Sequence, residues 1–379
     1  MKVLQVGMDW FPTKQGGGLD RYYYDCIRYL PEVGVDVTSI VSGPDHIAES
    51  TAGPIYRFAP SDAPLLQRFL QVRSVTHQVL KDNNFSLIAA HFALYAFPIL
   101  DKIGPKPFVF HFHGPWSLEC IVEGQKSLGF RLRKAMELAV FRRSVRFVVL
   151  SQAFQDILHQ DYQVPLNQIH VVPGGVDLAR FENGSTSIEA RANLEWPQDR
   201  FILFTVRRLS PRMGLENLVA AMEQVRCQYP DTLLLIAGKG ALEASLNQQI
   251  QALGLENHVQ LLGYIPETQL IAAYRAADCV VIPTTTLEGF GLIVLEALAS
   301  GTPVLGTPVG GIPEILRPFS PDLVLSGHET EHIAQGLLEV LSGQRILPSS
   351  TDCIRYVRQN YSWHTTAQRL KEIYESVLV

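Results

Sequence analysis

The sequence lacks any hydrophobic run that could cross a bilayer. Its longest apolar stretches, such as "FVVL" and "TLLLIAG", are far shorter than the ~20 residues that a membrane-spanning helix needs. The first residues, "MKVLQVGMDWFP", reach Asp9 too early for the apolar core of a signal peptide. We therefore expect a cytoplasmic protein.

Paired cysteines are missing too. The chain has five cysteines, which are widely spaced and include no C-x-x-C pair. An odd number of scattered cysteines is typical of reduced thiols, and it argues against a disulfide framework and against a cysteine-ligated metal site. The five are Cys26, Cys120, Cys227, Cys279 and Cys353.

Basic residues are not in excess, and no Asp-x-Asp motif occurs. The formal net charge is −5, which argues against a general electrostatic attraction to nucleic acid. The absence of an Asp-x-Asp pair fits a site that binds no hard cation. We expect no nucleic-acid partner, no metal and no bound cofactor.

The chain does contain enough apolar residues for two domains. Its 379 residues are 47% hydrophobic and 18% charged, which is typical of a globular protein too long for one core. Short β-rich segments alternate with helical patterns, and the alternation restarts half-way, which predicts an α/β fold with parallel sheets. The predicted strands are "KVLQVGM", "DVTSIVSG", "LIAAHF", "PFVFHFHG" and "RFVVLS", then "RFILFTVRRL", "TLLLIAG", "VQLLGYI", "CVVIPTT", "TPVLGTP" and "DLVLS".

The two halves meet in a segment rich in glycine and polar residues. "VVPGGVDLARFENGSTS" has the composition of a domain boundary. We predict a Rossmann-like domain over 1–175 and a second over 176–360, followed by a helix over about 361–379. Open parallel sheets bind ligands at the carboxyl ends of their strands, so the loops after the strands are the candidates for a site.

The loop after the first strand is glycine-rich. Gly16, Gly17 and Gly18 lead directly into a predicted helix. Such a loop lets a ligand approach the backbone, and the helix start presents amides to an anion. A flexible connection without function explains these glycines equally well.

Two histidines lie on one face of another predicted strand. In "FHFHGPW", His111 and His113 are two residues apart, and residues at that spacing share a face. His113 is nearer the strand end, so we predict that it is functional. We predict that His111 is a hydrogen-bonded residue of the core.

The first strand of the second half ends in two arginines. In "VRRLSPRMG", Arg207 and Arg208 alternate, so one side chain is expected to face the ligand and the other to point away. A guanidinium can hold a diphosphate with forked hydrogen bonds. The alternative is a pair of solvated arginines.

The segment "LEGFGLIVLEALAS" combines a turn with an apolar helix. The amides of 290–292 at the helix start are predicted to be unpaired donors suited to a phosphate. Glu296 lies one turn further along the same face, where a carboxylate can accept hydrogen bonds from vicinal hydroxyls. Glu288 lies in the preceding turn. The alternatives are that Glu288 complements the helix dipole and that Glu296 is a surface residue.

The longer stretch "EGFGLIVLEALASGTPVLGTPVGGIPEIL" resembles the group 1 family of retaining GT-B glycosyltransferases, in which two glutamates flank seven residues as Glu288 and Glu296 do. The resemblance extends over nearly the whole chain. It implies two Rossmann-like domains facing across a cleft, with the C-terminal helix 361–379 crossing back to the first. The other matching segments are "GGGLDRYYYD", "FHFHGPW", "VVPGGVDLARF", "VRRLSPRMG", "AGKGALEASL", "VQLLGYIP" and "YSWHTTAQRLKEIY".

The resemblance implies catalytic roles for three residues. His113 and Glu288 would contact the transferred sugar, and Arg208 would stabilise the diphosphate leaving group. Where many members have a lysine before a glycine, this chain has Met213 before Gly214. Whether the neighbouring cation at 212 replaces that lysine is left open.

The resemblance also implies a set of donor-binding residues. Glu296 would hold the ribose, the amides of 290–292 and the glycines of the first loop would hold phosphate, and 264–265 would lie beside the base. The full set is Gly17, Gly18, Arg212, Tyr264, Ile265, Phe290, Gly291, Leu292 and Glu296.

The implied activity is transfer of a hexose from a nucleotide-diphosphate sugar to a glycan, a lipid or a small molecule, with retention and without a metal. A UDP-sugar is the first expectation for the donor and a GDP-sugar the second. A nucleotide-sugar epimerase on the same fold and a non-catalytic nucleotide-sugar-binding subunit remain alternatives.

One further segment bears on the partners. The segment 126–146 has seven basic residues against one acid, Glu137, and apolar residues at helical spacing. This pattern fits a helix resting on an anionic membrane, which would place the protein peripherally on the inner face. The alternative is a solvated helix that packs by its apolar stripe.

Overall fold

The computed structural model describes residues 1–11, 17–44, 47, 53–124, 127–182 and 184–378. It divides into two compact units, one formed by Met1–Gly175 with Trp363–Val379 and the other by Val176–Ser362. Each unit is a parallel sheet with helices between most of its successive strands. Within the described residues, no helix combines the length and the apolar composition needed to cross a bilayer.

The first unit contains a seven-stranded sheet in the order β3-β2-β1-β4-β5-β6-β7. Its central strands are buried on both faces, as expected for a parallel sheet covered by helices. The strands are β1 (Lys2–Asp9), β2 (Asp36–Ser42), β3 (Ile55–Arg57), β4 (Leu87–Ala90), β5 (Phe108–Phe112), β6 (Arg146–Val149) and β7 (Ile169–Val171). The helices are α1 (Gly18–Tyr29), α2 (Leu65–Asp82), α3 (Ala93–Ala96), α4 (Trp116–Val122), α5 (Ser127–Arg143) and α6 (Gln152–Tyr162).

The second unit contains a five-stranded sheet in the order β10-β9-β8-β11-β12. Leu203, Leu234 and Val281 are fully buried in its core. The strands are β8 (Phe201–Val206), β9 (Thr232–Ala237), β10 (Val259–Gly263), β11 (Cys279–Ile282) and β12 (Val304–Gly306). The helices are α7 (Ala179–Glu182), α8 (Ser187–Asn193), α9 (Leu215–Gln228), α10 (Glu243–Ala252), α11 (Glu267–Ala276), α12 (Leu292–Ala299), α13 (Ile312–Leu316), α14 (Thr330–Leu341) and α15 (Ser350–Asn360).

The C-terminal helix returns to the first unit, as predicted. Helix α16 (Trp363–Ser376) packs against α1, and it buries Trp363, Leu370 and Tyr374. The Thr366 hydroxyl donates a hydrogen bond to the carbonyl of Pro173, 3.0 Å away. The end of the chain is therefore part of the first unit's core.

One predicted strand is wrong. "DLVLS" begins after Pro321, which opens a 3₁₀ turn over Pro321–Leu323. Proline suits the start of such a turn because its missing N–H would be unpaired there in any case. What remains of the strand is a single bridge between Val324 and Gly306. The strands β3 and β7, of three residues each, were not predicted because they are too short to show a pattern.

Candidate functional site

In the second unit, helix α12 begins at the carboxyl ends of the sheet strands. Its N-cap, Gly291, has φ 93°, a left-handed conformation that favours glycine. The amides of Phe290, Gly291 and Leu292 donate no hydrogen bond to a backbone carbonyl of the described residues. These are the amides that the sequence predicted as donors for a phosphate, and the positive end of the helix dipole lies among them.

The Glu288 carboxylate, in the loop before α12, is held by a buried arginine. Arg207 follows β8 and donates hydrogen bonds both to Glu288 Oε2 and to the Thr284 hydroxyl. That hydroxyl in turn donates to Glu288 Oε2 at 3.1 Å. Glu288 Oε1 accepts no hydrogen bond from the described residues, so one oxygen is fixed and the other is available.

Glu288 is ionised at neutral pH. Burial acts to raise the pKa of this carboxyl. The charge and the hydrogen bond of Arg207 act in the opposite direction, as do Arg212 and Thr284. Together they outweigh burial, so the pKa of Glu288 lies below its usual value. The side chain is only 13% exposed. A fixed anion therefore lies directly before the helix start.

The backbone of Glu288 is fixed as firmly as its side chain. Gly311 N donates to the Glu288 carbonyl at 3.0 Å. Gly310 has φ +57°, and a Cβ placed there would overlap the same carbonyl. The glycines after β12 thus allow two loops to approach more closely than any side chain would permit.

The two arginines do alternate, as predicted. Arg207 is buried, whereas Arg208 is exposed. The family resemblance implies the catalytic role for Arg208, and the sequence does not predict a partner for Arg207. The structure adds Arg207 as the residue that holds Glu288, and the diphosphate role of Arg208 remains a prediction.

Arg212 lies beside the same loop. Its Nη1 donates to the Leu287 carbonyl at 3.0 Å, next to Glu288. Met213, at the position where many family members have lysine, is buried. A cation is therefore present near Glu288 even though the lysine is missing.

Glu296 is buried rather than on the surface. It is 6% exposed, and the Tyr274 hydroxyl of α11 donates to its Oε2 at 2.9 Å. This excludes the alternative that Glu296 is a surface acid. Tyr274 was not predicted, because a tyrosine in an apolar helix pattern resembles any core residue.

Tyr264 and Ile265 follow β10, and Tyr264 is 43% exposed.

In the first unit, the glycine loop is arranged differently from the expectation. Gly17 is the N-cap of α1, and its amide donates to Asp20 Oδ2 at 2.8 Å. Asp20 also accepts from the amide of Asp9. The Gly17 amide is therefore already paired with a carboxylate of the chain itself, which corrects the picture of a free donor. Gly18 is the first residue of α1, and Gly16 lies outside the described residues.

His113 belongs to a cluster of three histidines. His113 Nε2 lies 3.1 Å from His91 Nδ1, and His91 Nε2 lies 2.9 Å from Gln5 Oε1. His111 is buried with its Nε2 2.7 Å from the Tyr374 hydroxyl, as expected for a hydrogen-bonded core residue. His91 follows β4 just as His113 follows β5. The same argument from position at a strand end could therefore have predicted His91 as a site residue.

All three histidines are neutral at neutral pH. Burial lowers the pKa of His113 to about 3. Burial and the neighbouring histidines hold the pKa of His91 and of His111 well below the usual value. A neutral imidazole can donate one hydrogen bond and accept another.

A small cavity of about 70 Å³ lies beside these histidines within the first unit. His91, His113, Phe92, Trp116 and Glu137 are among the residues that line it. Burial raises the pKa of the Glu137 carboxyl, although the Tyr162 hydroxyl donates to it at 2.9 Å. The cavity therefore combines aromatic walls with two kinds of polar group.

Comparison with known proteins finds two family models that match successive parts of the chain. Residues 186–360 match the model of the glycosyl transferases of group 1, and residues 16–180 match that of glycosyltransferase family 4.

The second unit thus resembles the group 1 glycosyl transferases, and most of the first resembles glycosyltransferase family 4. Both matches are to transferase enzymes.

A similar curated relative is the D-inositol 3-phosphate glycosyltransferase of Corynebacterium glutamicum. The two are 29% identical over 236 residues, which are 60% of this chain and 56% of the relative. The match thus spans little more than half the length of that protein.

Solved structures show the same GT-B fold. The sucrose-phosphate synthase of Thermosynechococcus elongatus superposes with a TM-score of 0.82 at 20% identity, covering 99% of this chain and 98% of that one. HepE of Anabaena, in complex with UDP and glucose, superposes with a TM-score of 0.78 at 21% identity, covering 99% and 100%. At this identity the likeness establishes the fold alone.

Helix α5 of the first unit exposes part of its apolar stripe. Leu128 and Leu132 are 78% and 62% exposed, whereas Met136 and Val140 are buried. Only the second half of the predicted stripe packs against the protein. Ile121 of the neighbouring α4 is also exposed.

Replacing Glu288 by glutamine is expected to destabilise the protein in a pH-dependent way. At pH 7 the variant should lose roughly 3–5 kcal/mol, because the Arg207 charge stays buried without its partner. Since the folded-state pKa of Glu288 is depressed, its contribution is complete above the unfolded pKa of about 4.3 and is lost as the pH falls through the folded value. Urea unfolding at pH 7, 5, 4 and 3 measures this difference.

The matched control is Glu243→Gln, on an exposed face of α10 in the same unit. It should unfold as the wild type does at each pH. A difference between Glu288→Gln and the wild type that is constant down to pH 3 would contradict the ionised pair.

Proposed function

We propose that this chain is a retaining hexosyltransferase that uses a nucleotide-diphosphate sugar, a UDP-sugar first and a GDP-sugar second. The acceptor is a glycan, a lipid or a small molecule, and the reaction needs no metal ion. One observation carries the proposal: free amides at the start of α12 lie between an ionised carboxylate before the helix, Glu288, and a buried one within it, Glu296.

Each part of that arrangement fits one part of the donor. In the proposed complex, the amides of 290–292 bind phosphate, as helix starts do. Glu296, oriented by Tyr274, accepts hydrogen bonds from the ribose hydroxyls. Glu288 Oε1 accepts from a hydroxyl of the sugar, and the exposed Tyr264 with Ile265 lies beside the base.

The preference for UDP is supported by a structural neighbour. HepE of Anabaena has been solved with UDP and with UDP-glucose, and the fold of this chain matches it over its whole length.

In the proposed reaction, the bond between the sugar carbon and the diphosphate oxygen breaks, and the acceptor oxygen bonds to the same face of that carbon. The acceptor proton passes to the departing phosphate oxygen. Negative charge grows on the diphosphate, where Arg208 and the α12 amides stabilise it. His113 contacts the sugar, and Gly18 approaches the phosphate.

Two alternative functions predict different products. A nucleotide-sugar epimerase would change the donor without an acceptor, and a non-catalytic subunit would bind donor without turnover. The non-catalytic alternative was suggested by the missing lysine, and Arg212 beside Leu287 supplies a cation to that loop. Incubation of the purified protein with donor sugars and acceptors, followed by NMR, separates the three by product and by anomeric configuration.

Nucleotide binding should depend on Glu296. In a thermal-shift panel of UDP, GDP and ADP, we expect UDP to stabilise the wild type most, and a ligand at a hundred times its Kd contributes about 2.7 kcal/mol. Glu296→Ala should weaken UDP binding by roughly tenfold or more, since ~1.4 kcal/mol of lost hydrogen bonding corresponds to a factor of ten.

Glu243→Ala, on the exposed face of α10, is the control and should bind UDP as the wild type does. If Glu296→Ala binds UDP with unchanged affinity, Glu296 does not hold the ribose.

We also propose a peripheral membrane contact through 126–146, on the inner face of the membrane. The exposed Leu128 and Leu132 support it, because they lie on the same helix as the basic side chains. Such a contact would suit a lipid or lipid-linked acceptor.

Basic side chains of α5 should therefore control binding to anionic vesicles. The triple variant Arg131→Gln, Arg133→Gln and Lys134→Gln should lose most binding to phosphatidylglycerol vesicles in a sedimentation assay, since each charge near the surface contributes about 1 kcal/mol. Phosphatidylcholine vesicles should bind neither protein.

The control carries Arg317→Gln, Arg355→Gln and Arg358→Gln, three exposed positions of the second unit. It removes the same charge and should keep the binding. Equal losses in the two triple variants would show a general charge effect instead of a contact through α5.

A further inference from the structure

We propose that Gln5 and His91 are positioning residues that keep the proton of His113 on Nε2 and so leave His113 Nδ1 as a hydrogen-bond acceptor for a ligand hydroxyl. The identification of that ligand as a sugar rests on the proposed function. The protonation of His113 itself does not.

Five side chains of the first unit form one hydrogen-bonded chain. It runs from His113 Nε2 to His91 Nδ1 at 3.1 Å and from His91 Nε2 to Gln5 Oε1 at 2.9 Å. Gln5 Nε2 then donates to the Tyr374 hydroxyl at 3.0 Å, which lies 2.7 Å from His111 Nε2. The amide of Gln5 therefore joins two histidine branches.

The direction of the first branch follows from the amide oxygen. Gln5 Oε1 can only accept, so His91 Nε2 carries the proton. A neutral imidazole holds one proton, so His91 Nδ1 is an acceptor and His113 Nε2 must donate to it. Since burial keeps His113 neutral as well, its Nδ1 has a free lone pair.

The second branch runs in the opposite sense. Gln5 Nε2 donates to the Tyr374 hydroxyl, and among the described residues His111 Nε2 is the one acceptor within reach of the Tyr374 proton, so Tyr374 donates to His111 Nε2. The proton of His111 is then on Nδ1, which is buried and has no hydrogen-bond partner among the described residues. Only the Gln5 amide is shared by the two branches, so Tyr374 does not determine the proton of His113.

This arrangement selects for a hydroxyl. His113 lines the cavity of the first unit, and its Nδ1 makes no hydrogen bond to a described residue. A bound group that donates, such as a sugar hydroxyl, gains a hydrogen bond there, whereas a carbonyl or phosphate oxygen meets a lone pair and is disfavoured.

The same histidines could instead be considered as metal ligands, since their nitrogens are close enough together. Their rings are nearly parallel, with interplanar angles of 17–23°, so their lone pairs do not converge on one point. Both nitrogens of His91 are also engaged in the chain. The geometry favours proton positioning.

Nitrogen-15 NMR of histidine-labelled protein tests the proposal, since long-range proton–nitrogen spectra distinguish a protonated ring nitrogen from a bare one. The His113 signals are assigned with His113→Gln. In the wild type, His113 Nδ1 should be bare. In Gln5→Leu, His91 loses its acceptor, and protonated His113 Nδ1 should appear.

Two variants make the comparison specific. Tyr374→Phe removes buried hydrogen bonds of the second branch and should leave His113 Nδ1 bare. Gln5→Glu keeps an acceptor for His91 Nε2 and should restore the wild-type signal. In the transfer assay, Gln5→Leu should lower kcat roughly tenfold, as expected for one hydrogen bond, and Gln5→Glu should recover it.

Several results would overturn the proposal. These are a protonated His113 Nδ1 in the wild type, an unchanged signal in Gln5→Leu, or a stoichiometric metal that is lost in His91→Asn. Full transfer activity in Gln5→Leu despite a shifted proton would overturn the role of Nδ1 towards the ligand. If His113 Nδ1 is bare but the protein transfers no sugar, the role of Gln5 and His91 in positioning the proton is supported. Only the proposed function is then contradicted.

Discussion

The buried ion pair of Arg207 and Glu288 is the interaction on which the candidate site depends. It joins the end of β8 to the loop after β11, while Gly311 after β12 binds the carbonyl of the same glutamate. Three strand ends thus converge on one residue directly before α12. Breaking a buried pair leaves a charge without its partner and typically costs 3–5 kcal/mol, so the loop that presents the helix amides has one preferred conformation.

The two units offer different electrostatic environments. The second has a fixed anion, nearby guanidinium groups and unpaired amides, which suit a charged diphosphate. The first has histidines that burial keeps neutral and a cavity with aromatic walls. In the proposed reaction, negative charge develops on the leaving group, and the cations and helix amides that would stabilise it lie together in the second unit.

The fold could be predicted from periodicity and turn residues, because alternating β and helical patterns depend on local sequence. The segment after Pro321 shows the limit, since one proline turned an apolar run into a 3₁₀ turn. In the site, the position of His113 at a strand end and of 290–292 at a helix start could be predicted, because both follow from local sequence. Pairings over many residues, such as Arg207 with Glu288 and Tyr274 with Glu296, could not be predicted, because they depend on how strands and helices pack.

The central claim is that Glu288 serves the transferred sugar and not the nucleotide. The most direct measurement compares UDP affinity and single-turnover transfer in Glu288→Gln with the wild type, at a temperature where both are folded. The account predicts unchanged UDP affinity and transfer slower by roughly a hundredfold, which corresponds to about 2.7 kcal/mol of lost transition-state stabilisation. Transfer at the wild-type rate, or loss of UDP binding in parallel with transfer, would contradict it.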